Sequence, residues 1–318
     1  MAEANPPRLA VIGCGYWGRN HVRTLGELGH LHAVSDLDLD LAATVAEPFG
    51  AKACPVDDVF ADETVDAVVL ALPAQLHSEF ASRAIADGKH VFVEKPLALS
   101  SVDGARVADE AATAGRVLMT GHILRYHNAF VALQKLVEGG GLGNIRYLQS
   151  HRLGFGKFHS RFDALWDLAP HDLSLILTLT GAEPVDVRGV GGAVSIGTTD
   201  FAHVHMDFAR GIGAHVYVSR HSPYRERRFM VIGSEGMAVW DDLEDWPRKL
   251  AVYRHRIGGG EDAIAFSLSE PELVSVQPNL ALTDELKHFL RCIETKSTPF
   301  TDGRQGVAVL RILEAASG

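Results

Sequence analysis

Apolar residues fall along this chain in two different rhythms. Up to residue 122 they come as short unbroken runs: Leu9–Ile12, Leu31–Ser35, Asp66–Leu72, His90–Val93 and Arg116–Thr120. Runs of this length, without polar interruption, are the mark of strands buried on both faces. Between them Trp17–Leu28, Leu39–Phe49, Gln75–Asp87 and Ser101–Ala114 carry apolar residues at helical spacing. The last of these opens on Ser101, a candidate N-cap, with Asp103 in its first turn. Strand and helix in alternation predict a parallel sheet covered by helices.

After residue 123 the rhythm changes. Asn128–Glu138 predicts a helix stopped by the glycines at 139–141, and Ile145–Arg152 predicts a strand. A basic, glycine-containing loop and a helix near 163–180 follow. Val185–Val190, Phe201–Phe208, Gly213–Ser219, Phe229–Gly233, Met237–Trp240 and Leu250–Arg254 then alternate apolar and polar positions. A period of two predicts an antiparallel sheet with one face less buried. Helices at about 283–294 and 303–316 close the chain. The pattern is that of an α/β protein with one domain at 1–122 and a second, α+β domain at 123–318, built on a largely antiparallel open sheet.

Composition narrows the function classes. The 318 residues are 47% apolar and 22% charged, with a net charge of −10. An acidic chain is a poor partner for nucleic acid, whose phosphates select a basic excess. Nowhere do about 18 apolar residues run together, so no membrane span is expected. Met1–Pro7 lacks the basic and apolar blocks of a signal peptide. Cys14, Cys54 and Cys292 are scattered and odd in number, which fits a reducing cytoplasm better than a disulfide framework. The sixteen histidines lack paired ligand spacing, and no metal is expected.

Gly13-Cys14-Gly15-Tyr16-Trp17-Gly18 follows the first strand and opens the first helix. Gly13 permits the tight turn, Gly15 lets backbone approach a pyrophosphate, and Gly18 lets helix pack on strand. The helix N-terminus offers unpaired N–H groups to phosphate. Tyr16 and Trp17 lie in the same cofactor-binding loop. Asp36 stands at the end of the second strand, eighteen residues past Gly18, where a carboxylate accepts from both ribose hydroxyls and repels a 2′-phosphate. These residues point to NAD in preference to NADP.

Two further motifs carry a family resemblance. Glu94-Lys95-Pro96 ends the fourth strand, and Pro73-Ala-Gln-Leu-His77 follows the third. With the glycine loop, in this order and spacing, they make nearly the whole chain resemble the glucose–fructose oxidoreductase / inositol dehydrogenase (Gfo/Idh/MocA) family. The resemblance implies a Rossmann domain followed by an α/β domain on an open sheet, and hydride transfer between NAD(P) and a carbinol carbon of a sugar or inositol. It implies that Lys95 contacts the substrate hydroxyl and the nicotinamide ribose, with Leu72, Pro73, His77, Glu94 and His122 around the cofactor. A lysine at the C-terminal end of a parallel strand is well placed to stabilise an alkoxide-like oxygen. Pro96 is a candidate for a cis bond.

The family's second-domain motif matches Asp167-Leu-Ala-Pro170-His171-Asp172. By resemblance His171 exchanges the proton and Asp167 orients its ring or binds a neighbouring hydroxyl. Histidine suits the task because its ordinary pKa lies near 6.5. Pro170 is expected in the first helical turn, with Asp167 near the N-cap. Ser174 stands where many relatives carry an aspartate, Asp172 follows the histidine directly, and Leu72 replaces a frequent threonine.

On the substrate side, Arg125 leaves the first domain beside His122, and Lys157 and Arg161 lie in the basic loop before Asp167. Guanidinium and ammonium groups there suit a nucleotide-linked or otherwise anionic sugar. A free sugar or inositol is the alternative substrate. A regulatory NAD(P)-binding protein without turnover is the alternative class, and an enzyme that never releases its cofactor is a third reading. The exposed sheet of the second domain is expected to pair with another copy, as a homodimer or homotetramer.

Overall fold

A computed structural model of the chain describes residues 6–156, 158, 163–194, 197–260 and 263–317. They form two compact units. The first comprises residues up to Ile123 together with Leu280–Arg311, and the second comprises Leu124–Asn279 and Ile312 onward. The boundary at 122 is a division along the chain; in space the segment Leu280–Arg311 returns to the first unit.

The first unit alternates β1 (Leu9–Ile12), α1 (Tyr16–Glu27), β2 (Leu31–Ser35), α2 (Leu39–Ala46), β3 (Lys52–Ala53), α3 (Val56–Ala61), β4 (Ala67–Leu70), α4 (His77–Ala86), β5 (His90–Glu94), α5 (Ser101–Thr113) and β6 (Leu118–Gly121). Its strands pair in parallel in the order β3-β2-β1-β4-β5-β6. This is the Rossmann order, whose switch point lies between β1 and β4. Every residue of β1 and β4 is buried. Each large apolar side chain so buried contributes about 1.5–3 kcal/mol. The run Asp66–Leu72 is strand only over Ala67–Leu70. Ser100, rather than Ser101, caps α5: its Oγ accepts from the Asp103 amide at 3.0 Å, and Ser101 is the first helical residue. β3 is two residues long and leaves no periodicity to read.

The second unit contains α6 (Asn128–Glu138), β7 (Ile145–Phe155), α7 (Ala164–Thr180), β8 (Asp186–Gly192), β9 (Phe201–Phe208), β10 (Ile212–Ser219), β11 (His221–Gly233), β12 (Met237–Asp241), β13 (Leu250–Tyr253), the hairpin β14 (Arg256–Gly260) and β15 (Ala263–Ser267), and β16 (Glu272–Leu273). The main sheet runs β16-β13-β12-β11-β7-β10-β9-β8. All its pairs are antiparallel except β10 with β7. Along β9 burial alternates, with Ala202, Val204, Met206 and Phe208 buried. α7 packs on β7, β9 and β10. Two more helices follow, α8 (Ala281–Thr295) and α9 (Gly303–Ser317).

Pro170 departs from the sequence expectation. α7 begins at Ala164 with Asp163 as its cap, so Pro170 is the seventh helical residue. There it leaves one carbonyl of the helix without an N–H partner. Asp167 accordingly lies in the first turn rather than at the cap. Among the described residues, no helix is long and apolar enough to cross a membrane.

Candidate active site

The glycine loop has the stereochemistry of a phosphate cradle. Gly13 adopts φ +99°, and a Cβ there would stand 2.4 Å from the Ala71 carbonyl oxygen. A Cβ on Gly18 would stand 1.8 Å from the Gly13 carbonyl oxygen. Both positions therefore require glycine. Gly15 faces open space, with nothing within 4 Å of a built Cβ. It is also the residue before α1, where the N–H groups are unpaired by the helix. Tyr16 is exposed and meets Trp17 edge to face at 5.7 Å. Cys14 beside them is buried, and burial with Asp36 nearby pushes its thiol up to about 11, so it is inert.

Asp36 is tied to this loop. Its Oδ2 accepts from the Cys14 amide at 2.6 Å and its Oδ1 accepts from the Asp38 amide at 3.0 Å. Two backbone donors fix the carboxylate at the end of β2. It borders a cavity of about 520 Å³ that also touches Gly15, Leu37, Pro55, Leu76 and Phe80. An apolar slot with one anchored carboxylate matches an adenosine with a free 2′-hydroxyl. The residues present therefore fit NAD.

His77 braces the far wall of that slot. It is 1% exposed, with Nδ1 2.7 Å from the Pro96 carbonyl and Nε2 2.8 Å from the Leu72 carbonyl. Burial lowers its pKa. The ring thus joins the Leu72–Pro73 turn to the residue after Lys95, and its nitrogens face backbone. Leu72 is half-buried and Pro73 exposed. The Lys95–Pro96 bond is cis. Lys95 is half-buried at the end of β5, and its amide donates to Glu94 Oε2 at 3.2 Å. The other oxygen of Glu94 meets His21 Nε2 at 2.7 Å. His122 is buried just past β6, its amide donating to the Thr120 carbonyl.

In the second unit, two aspartates flanking His171 separate cleanly. Asp167 accepts from Arg220 Nη2 at 2.8 Å, and the Arg220 side chain is 2% exposed. Asp172 is gripped by Arg152 through two bonds of 2.7 and 2.8 Å, with Ser150 Oγ donating to it at 2.8 Å. Bidentate contact of this kind fixes a carboxylate. The second aspartate therefore locks α7 to β7, while Asp167 is held by Arg220. Arg152 lies 20 residues before Asp172 on β7 and Arg220 lies 53 residues after Asp167, and spacing alone does not single them out.

Arg125 is 8% exposed and lies over the Phe130 ring at 5.4 Å. Its Nε and Nη1 have no acceptor among the described residues, and burial lowers its pKa to about 10. Lys157 and Arg161 lie outside the described residues. Among the described residues, no group of three or more His, Cys, Asp or Glu side chains could hold a metal.

Known proteins share this organisation. Residues 7–122 match the oxidoreductase family with an NAD-binding Rossmann fold, and residues 130–239 match the GFO/IDH/MocA C-terminal domain. The chain is 35% identical to a UDP-N-acetylglucosamine 3-dehydrogenase of Acidithiobacillus ferrooxidans, over 97% of this chain and 95% of that protein. A solved structure of that dehydrogenase superposes with a TM-score of 0.85, covering 96% of this chain and 95% of the other. A scyllo-inositol 2-dehydrogenase of Bacillus subtilis is 26% identical over 92% of this chain and 87% of its own length. With the glycine loop, the Rossmann strand order and the open sheet all in place, the chain belongs to the GFO/IDH/MocA family of NAD-binding oxidoreductases.

Proposed function

We propose that this enzyme oxidises or reduces a carbinol carbon of a nucleotide-linked or otherwise anionic sugar. The observation that carries the substrate class is Arg125. A buried guanidinium with two unmatched donor nitrogens is costly unless an anionic or carbonyl group meets it. A UDP-linked sugar has such groups, and the relative at 35% identity acts on UDP-N-acetylglucosamine by its name. Lys157 and Arg161 add cations to the same reading.

NAD held along Gly13–Gly18 and by Asp36 would supply the nicotinamide that exchanges a hydride with the carbinol carbon. Lys95 holds the reacting oxygen through its ammonium and favours the alkoxide form. His171 takes the hydroxyl proton on its imidazole, and Asp167, itself held by Arg220, orients that ring. Asp36 selects the unphosphorylated ribose, and Tyr16, Trp17, Leu72, Pro73 and His122 complete the cofactor site, with His77 and Glu94 supporting its walls. The three buried free thiols fit work in the cytoplasm. The sheet face opposite α7 carries His203, His205, His215 and Tyr217 beside the exposed Val190, and we assign it to contact with a second copy. Light scattering at micromolar concentration checks this, and a monomer there contradicts it.

The deciding experiment follows absorbance at 340 nm with UDP-N-acetylglucosamine, other UDP- and dTDP-sugars, uronates, and myo- and scyllo-inositol. Turnover confined to anionic sugars, and weakened by Arg125→Met, is the expected result. Turnover of inositols with Arg125→Met unaffected assigns the chain to the polyol reading instead. No turnover with any of them, together with tight NAD binding, points to the regulatory class.

A further inference from the structure

Helix α8 buries a carboxyl that the mechanism does not use. Glu285 on α8 is 1% exposed, and its Oε1 has no hydrogen-bond partner among the described residues. α8 packs against α1, the helix that carries His21. One turn on from Glu285, Phe289 meets the Phe92 ring edge to face at 5.7 Å. Phe92 in turn meets the His21 ring at 5.2 Å. His21 is fully buried and pairs with Glu94 at 2.7 Å. Glu285 thus sits one turn from a run of ring contacts that leads through Phe289 and Phe92 to the His21–Glu94 pair.

We propose that Glu285 is a positioning residue for Glu94 and Lys95, presenting an acid O–H beside the Glu94 carboxylate that His21 holds from the other side. Two carboxyls in one apolar enclosure do not both ionise. Glu94 has the His21 ring and the Lys95 amide as partners. Glu285 has neither and keeps its proton: burial first, and the Glu94 charge second, push its pKa well above the usual carboxylate range. Along this run of contacts the titratable groups are His21 on α1 and Glu94 at the end of β5, with Asp284 and His288 beside it on α8 itself. The fixed Glu94 carboxylate then holds the Lys95 amide, and with it the start of the Lys95 side chain.

The inference rests on reading Lys95 and Glu94 as part of the cofactor site, and its test needs no substrate. Glu285→Gln keeps a neutral donor, and Glu285→Met keeps the volume without one. The first readout is Tm against pH from 5 to 9. The folded wild type holds a proton that the unfolded chain releases above about pH 4.5, so its stability falls as pH rises through this window. Glu285→Gln lacks that loss, so its Tm gains on wild type steadily towards pH 9. A gap that does not change with pH overturns the neutral acid. The second readout is NADH affinity by fluorescence. We expect Glu285→Gln to bind within about threefold of wild type and Glu285→Met at least about tenfold more weakly, the scale of one hydrogen bond to a charged group. Equal affinities for the two variants overturn the positioning role. Absence of turnover on every sugar tried, with these two results intact, counts against the dehydrogenase reading alone.

Discussion

In the six-stranded sheet, β1 and β4 bury every side chain, whereas in the eight-stranded sheet β9 and β10 bury one face under α7 and carry His203, His205, His215 and Tyr217 on the other. The difference extends to how each unit builds its chemistry. The cofactor unit uses backbone: bare glycines, a helix N-terminus, and two amides that fix Asp36. The second unit uses side-chain ion pairs across long sequence separations, Arg152 with Asp172 and Arg220 with Asp167. Backbone sites are tolerant of what surrounds them but not of an added Cβ. Ion-pair sites depend on both partners surviving, because a buried charge left alone is costly.

That contrast can be broken at its strongest point first. Arg152→Met leaves the Asp172 carboxylate buried and uncompensated, and should cost about 3–5 kcal/mol of stability. Chemical denaturation checks this, and a loss below about 1 kcal/mol would mean the pair is only an ornament of the second unit. Next in size is Lys95→Ala, which should slow single-turnover hydride transfer by about 10²–10³-fold with little change in Tm. His171→Ala should slow it by about 10²-fold or more and flatten the pH profile near neutrality. Asp36→Ala removes an anchored acceptor and should weaken NAD about ten- to a hundredfold, with NADP affected far less. Isothermal titration of both cofactors measures the ratio, and equal losses would sever Asp36 from the ribose.

The smallest expected effect concerns the histidine face. His203 Nδ1 lies 3.2 Å from His215 Nε2, and the His203 ring stacks on Tyr217 at 4.1 Å. Burial, with His205, His203 and His151 nearby, lowers His215 to about 4. A histidine whose folded pKa lies below its unfolded value favours the native state when neutral. Stability therefore falls as pH drops from about 6.5 towards 4, as the unfolded chain gains a proton that the folded one resists. His215→Gln should reduce that fall in Tm, a shift of a few degrees at most, and should leave NADH binding unchanged. If NADH binding follows the same variant, the two units are not the separate devices described above.

Much of this was legible in residue order. Unbroken runs such as Leu9–Ile12 announce a sheet covered on both sides, and strict alternation in Phe201–Phe208 announces one covered on a single side. Both follow from side-chain periodicity along a strand, which needs no knowledge of neighbours. Gly13 and Gly18 could be read for the same reason: the turn demands them locally. The residues that stayed silent have partners far along the chain. Arg220 meets Asp167 across 53 positions, and His21 meets Glu94 across 73. Pro170 was misplaced because a helical proline was expected in the first turn, whereas the helix read near 163–180 begins at Ala164 and carries Pro170 as its seventh residue.

The sequence by itself determined a parallel sheet followed by a largely antiparallel one and a dinucleotide loop, and it put forward Asp36, Lys95, Asp167 and His171 as candidate site residues. Each of these rests on local geometry or on a short motif. Only the tertiary structure decided that Asp172 is held by Arg152 and Asp167 by Arg220, that His77 braces the loop through backbone carbonyls, and that Glu285 is buried on α8. Protonation and pairing depend on burial and on who is nearby, and those are properties of the folded chain alone.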